Sequence, residues 1–209
     1  METLTLAELM EAGKRHYMAG DFVGATKALR QATELDPKNA EAWRVLGFAF
    51  KENGDGPNAM GAFNSALECK PDDADAHFGL GLVYDEKGDQ NVAIGHLDEA
   101  LRFRPNHGQA KSALIKSLLK QGNTYMLNSE KANAEAIYER AYTLQGNTAE
   151  TVVPYVERLV DTGQFKRAYD VVEAARKQNP TDPRLKELSA EIASDPRLER
   201  ARREHGLGL

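Results

Sequence analysis

Apolar positions along the chain recur at helical spacing, and the whole pattern then recurs at a longer period. Trp43, Leu46, Gly47 and Phe50 fall at i, i+3, i+4 and i+7, one face of a helix. Beyond Gly54 and Pro57, the stripe Ala59, Phe63 and Ala66 marks a second helix. Thirty-four residues on, the same places hold His77, Leu80, Gly81 and Tyr84, then Ala93, Leu97 and Ala100. Thirty-four residues earlier they hold Leu9, Ala12, Gly13 and His16, then Ala25, Leu29 and Ala32. A later pair carries Val152, Tyr155, Val156 and Leu159, then Ala168, Val172 and Ala175. One such pair cannot cover its own apolar side. The pattern predicts stacked helix pairs that bury each other.

Two sets of turn residues measure the period. Gly20, Gly54, Gly88 and Gly122 are 34 apart, and Gly163 follows after 41. Pro37, Pro71 and Pro105 are also 34 apart, and Pro180 lies two periods plus seven residues further on. Glycine at these places ends a first helix in a left-handed turn, and Pro57 suits the first turn of a second helix. The divisions are an extension over 1–5, then repeats over 6–39, 40–73, 74–107, 108–148 and 149–182. A capping helix spans 183–194, and a C-terminal tail, frayed after Pro196, spans 195–209. The seven surplus residues of the fourth repeat are expected near 125–131, as a loop or as a longer start to its second helix. There Ile115 takes the place of the close-packing glycine, which predicts a helix pair that sits further apart or shifts along its length.

The run Trp43, Leu46-Gly47, Phe50, Ala59, Phe63, Ala66 and Pro71 resembles the tetratricopeptide repeat, and the resemblance extends over roughly 6–182. It implies an all-α, right-handed α-solenoid of antiparallel helix pairs with a C-terminal capping helix. It also implies a scaffold that binds proteins on a concave wall of first helices. Carried over position by position, that wall holds Met10, Lys14, Tyr17 and Met18 in the first repeat. It continues with Glu41, Arg44, Phe48 and Lys51, then Asp75, Phe78, Leu82 and Asp85. The fourth repeat contributes Gln109, Ser112, Lys116 and Leu119, and the fifth Glu150, Val153, Glu157 and Val160. The apolar members suit partner binding, with Lys14, Arg44 and Lys51 placed to hold carboxylates. The alternative is packing between adjacent first helices. Tyr125, Met126 and Leu127 form a secondary contact candidate, either for a partner or for a neighbouring repeat. Family members that grip the carboxylate tails of chaperones use a clamp of lysine, asparagine and arginine. Met10 and Lys14, Val45, Asp75 and Gly79 stand at the clamp places, so a chaperone-tail adaptor is not expected.

Charge narrows the partner. Residues 1–108 hold 18 acids and 11 bases, a balance of −7, while the remainder is at +2. An acidic first half disfavours nucleic acid. The single cysteine, Cys69, forbids an internal disulfide and suits a reducing, cytoplasmic location. It is expected as a small apolar filler. The first residues lack the basic-then-apolar order of a secretory signal, although a chain trimmed of its signal would read the same way. No apolar run is long enough to span a membrane.

Nothing in the sequence assembles a reaction. No HExxH or CxxC occurs, and none of the five histidines pairs with another at i, i+4. No catalytic residue, metal site or cofactor is expected. Asp36, Asp55 and Asp89 are placed to bond local backbone in turns, and Trp43 is expected to be mostly buried. The leading expectation is a non-catalytic adaptor for a peptide or helix of another protein. A self-associating homo-oligomeric scaffold stands beside it. So does an accessory subunit of a separately encoded enzyme or membrane-associated assembly.

Overall fold

The structure is a computed structural model, and it describes residues 4–145 and 147–197. Among the described residues the chain is helical, in antiparallel pairs of a solenoid: α1 (Leu6–Met18) with α2 (Phe22–Leu35), α3 (Ala40–Glu52) with α4 (Gly56–Cys69), and α5 (Ala74–Lys87) with α6 (Gln90–Phe103). There follow α7 (Gly108–Leu127), α8 (Lys131–Leu144), α9 (Ala149–Asp161), α10 (Phe165–Gln178) and the capping helix α11 (Pro183–Ser194). The chain forms two compact blocks, residues 1–114 and 115–209. In the first, Leu9, Leu29, Leu46, Phe63 and Leu80 are buried in one core. In the second, Tyr138, Val152, Tyr155, Leu159, Val172 and Leu185 form another. The tail beyond Arg197, expected to fray, lies outside the described residues.

Local chemistry explains where the helices start. Thr5 and Glu8 form a reciprocal capping box at α1. Asn39 and Asp73 cap α3 and α5 through their side-chain oxygens, and Asp21 and Asp55 do the same for α2 and α4. Asp36 accepts from the Lys38 N–H at 3.1 Å, whereas Asp89 pairs with Lys87 at 2.8 Å and caps nothing with its side chain. Pro57 and Pro183 sit in first turns.

The fourth repeat departs from the sequence expectation. The left-handed turn residues are Gly20, Gly54, Gly88, Ser129 and Gly163. Gly122 is not among them. It lies inside α7, and a Cβ there would overlap the Tyr138 ring. Gly13 meets Leu29 in the same way, Gly47 meets Phe63 and Gly81 meets Leu97, each sixteen residues on. Gly122, not Ile115, is therefore the close-packing residue of this helix pair. The seven extra residues are 108–114, at the start of α7, which has 20 residues where its counterparts have 13 or 14. They are neither a loop near 125–131 nor an extension of α8. The outward positions of the fourth repeat consequently move to Lys116, Leu119, Asn123 and Met126. Gln109 and Ser112 leave the set.

Two smaller expectations also change. Trp43 is half-buried, and its indole N–H donates to the Pro37 carbonyl at 2.8 Å. Cys69 is exposed, its thiol 3.5 Å from that same carbonyl, and fills no core space.

Candidate functional site

In the first block, α3 lies between α1 and α5, so outward residues of successive first helices become neighbours. Most of the charged ones pair across that junction. Lys14 Nζ lies 2.7 Å from Glu41, and Lys51 Nζ lies 3.1 Å from Glu86 and 3.2 Å from Glu52. Burial works against the charge on Lys51, but these two carboxylates raise its pKa overall. Arg44 reaches Asp73 at 3.3 Å and Asp75 at 3.4 Å. Asp75 also accepts both arms of Arg104, at 2.8 and 3.0 Å, and lies 3.3 Å from His107 Nε2. Burial pushes the Asp75 carboxyl up. The Arg104 hydrogen bonds and the Arg44 charge outweigh it and hold the group below its ordinary value.

The aromatic residues divide. Met10 and Phe78 are buried. Phe78 packs on His107 and Phe48, and Phe48 meets Phe63 edge-on at 4.9 Å. Tyr17 and Leu82 are half-buried, Lys116 is exposed, and Met18 stands 87 % exposed. Of the expected wall positions in the first block, the apolar surface left for a partner is therefore the edge of Phe48 together with Tyr17, Met18 and Leu82.

Stacking also assembles groups that spacing did not reveal. His77 and His96 face each other with their Nδ1 atoms 3.2 Å apart, and His96 stacks on Tyr84. Burial, then the neighbouring His77, lowers the His96 pKa. His107 caps α7 by accepting from the Ala110 N–H. Among the described residues, no three His, Cys, Asp or Glu side chains are placed to hold a metal ion. No described helix is long and apolar enough to cross a membrane.

The second block carries clefts on either side of α9. One, of about 450 Å³, is lined by Asn123, Met126, Leu127, Tyr138, Pro154 and Arg158, with Glu157 and Asp161 at its edge. Tyr125 and Met126 are half-buried in the last turns of α7, and Leu127 is 86 % exposed. Tyr138 Oη donates to Asn123 at 2.6 Å. Pro154 interrupts the hydrogen-bond ladder of α9 at the cleft wall. The second cleft, of about 200 Å³, lies against α11 over Val156, Val160, Leu188 and Ile192. Sequence spacing missed the larger cleft because it put the first helix of the fourth repeat seven residues out of frame.

Tetratricopeptide-repeat models match residues 16–80, 62–102 and 115–148, more than half of the chain between them. The third match starts at Ile115, where the frame set by Gly122 and Ser129 places the fourth repeat. Among solved structures, the crystal structure of the MamA protein is 18 % identical, with a TM-score of 0.61, over 98 % of this chain and 97 % of that one. A tetratricopeptide repeat protein from Parabacteroides merdae is 19 % identical, with a TM-score of 0.58, over 90 % and 72 %. The first such domain of Spaghetti, bound to an HSP90 peptide, is 18 % identical, with a TM-score of 0.53, over 56 % and 93 %. These likenesses show the fold. Against curated proteins the chain finds no significant match.

Proposed function

Because the chain belongs to the tetratricopeptide repeat family, we propose that it is a non-catalytic adaptor holding a peptide or helical segment of another protein on its first-helix face. The family's fold serves in general as a scaffold for protein–protein interaction, and its specificity lies in the side chains each member displays. The observation that carries the reading is the apolar surface left at outward positions of the first helices: Tyr17, Met18 and Leu82 in one block, Met126 and Val160 in the other. The charged groups support it by being committed elsewhere. Lys14, Arg44, Lys51 and Asp75 tie repeat to repeat, which holds the face rigid and lowers the ordering cost of binding.

The test is capture of partners from the native cell, followed by calorimetry with the purified partner segment. Leu82→Arg should melt close to the parent. Leu82→Arg should weaken a segment lying on the first block by about tenfold or more, as expected for charge placed in an apolar contact. If no protein segment binds on the first-helix face of either block, the reading is wrong.

A further inference from the structure

Arg158 stands where the earlier repeats have Arg15, Ala49, Val83 and Thr124. Its side chain is 1 % exposed, the largest fully buried side chain in the structure. A guanidinium carries five N–H donors, and burying one is costly unless they are met. Only Nη1 has partners, Asp161 at 3.1 Å and the Met126 sulfur at 3.2 Å. Nε and Nη2 are buried without a hydrogen-bond partner. These two atoms form one edge of the guanidinium, a fork of parallel donors suited to an acceptor oxygen. Arg158 lines the larger cleft, and over the fork's neighbour Nη1 lies the unbranched, adaptable side chain of Met126.

The surroundings say which ligand fits. The two clefts share Glu157 and Asp161, so α9 carries a line of carboxylates between two apolar floors, and Glu191 and Asp195 extend that line along α11. Asp161 is paired with Arg158 and Asp195 with Arg197. Glu157 and Glu191 are exposed and make no ion pair among the described residues. An anionic ligand would meet these carboxylates and be repelled. A segment with apolar side chains and lysines or arginines would meet both surfaces favourably.

We propose that the α7–α9–α11 face receives a basic, amphipathic segment of a partner protein. Its apolar side chains lie on the Tyr138–Pro154 and Val160–Leu188 floors, and its cations pair with Glu157 and Glu191. A backbone carbonyl accepts from Nε and Nη2 of Arg158 once the side chains that bury that edge turn aside. The proposal rests on the protein-binding reading above and adds the partner's chemistry and the place it occupies.

The test uses the full chain and fluorescence anisotropy at physiological salt. The probes are a dye-labelled leucine–lysine peptide patterned as an amphipathic helix and its leucine–glutamate twin. The lysine peptide should bind at least about tenfold tighter, as charge complementarity on a shared apolar floor requires. Glu157→Gln with Glu191→Gln should weaken it by about fivefold, the scale of two surface ion pairs. Glu11→Gln with Glu68→Gln makes the same change in net charge within the first block and should leave binding unchanged. Arg158→Met should keep the parent's melting temperature or raise it, yet weaken the lysine peptide. Equal binding of the two peptides would overturn the proposal. So would equal losses in the two double variants, which would indicate bulk charge alone. A captured natural partner that ignores Glu157 and Glu191 would overturn this proposal while leaving the adaptor reading intact.

Discussion

Gly122 in α7 faces the Tyr138 ring in α8 with no room for a methyl group between them. This single relationship sets the frame of the fourth repeat, because it reproduces the contact of Gly47 with Phe63 and of Gly81 with Leu97.

It predicts opposite outcomes for one kind of substitution. Gly122→Ala should destabilise the chain by about 1–3 kcal/mol, since the ring is packed and the added carbon overfills the site. Gly61 and Gly95 are also helical, but nothing lies within 4 Å of an added Cβ. Gly61→Ala or Gly95→Ala should therefore stabilise by roughly 0.5–1 kcal/mol through helix propensity. Urea titration of the three variants decides the matter. A neutral Gly122→Ala would mean the helices can separate there at little cost.

Ser129 has φ 61°, in the left-handed region that Gly20, Gly54, Gly88 and Gly163 occupy at the other turns. A side chain is strained in that conformation. Ser129→Gly should stabilise by about 1 kcal/mol, once the greater freedom of glycine in the unfolded chain is set against the relief. A lower urea midpoint for this variant would contradict the turn assignment.

His96 makes stability depend on pH. Its folded pKa lies below 6.5 because burial and then His77 disfavour the charged form. The unfolded chain then binds more protons in that window, so stability rises with pH and is lost as pH falls below about 6.5. The melting temperature should drop between neutral pH and pH 5, and His96→Gln should flatten the drop. Asp75 adds a separate loss as pH falls below about 3.8, because its folded pKa is depressed and its ion pairs fail on protonation. Identical profiles for the parent and His96→Gln would show that the imidazole is freely solvated.

Tyr155 should titrate late. Burial first, and then the Glu139 carboxylate, push its phenol up to about 12. A raised folded pKa gives stability that is present below the usual tyrosine pKa and lost as pH climbs through the folded value. Ultraviolet titration should show one phenol ionising together with alkaline unfolding, and Tyr155→Phe should remove that component. Ionisation of every tyrosine near pH 10 with the fold intact would refute the assignment.

Much of the fold was legible because its determinants are local. Left-handed turns at Gly54 and Gly88, the first-turn proline Pro57, and stripes such as Leu46, Gly47 and Phe50 act within a few residues of themselves. Their repetition at 34 then implied pairs of helices that cover one another. The place of the seven-residue insertion within the fourth repeat was not legible, and the reason is geometric. Seven residues turn a helix by about 700°, roughly 20° short of two full turns. The apolar stripe of α7 therefore stays in phase in either frame. Only the packing of Gly122 on Tyr138 chose between them.

The side-chain surface divides along the same line. By its residues alone, the chain determines a repeat scaffold and an approximate set of outward positions. Tertiary contact decided which of those remain on the surface. Met10 and Phe78 are taken up by neighbouring repeats, while Leu82 and Met18 are left toward solvent. His77 and His96 are nineteen residues apart, and only the closing of α5 on α6 brings their rings together. Arg15 and Arg158 occupy the same place in their repeats, yet Arg15 is exposed and Arg158 is fully buried beside Met126 and Tyr138. No local pattern separates those two arginines. What surrounds each depends on the helix stacked against it, and that is a property of the assembled block.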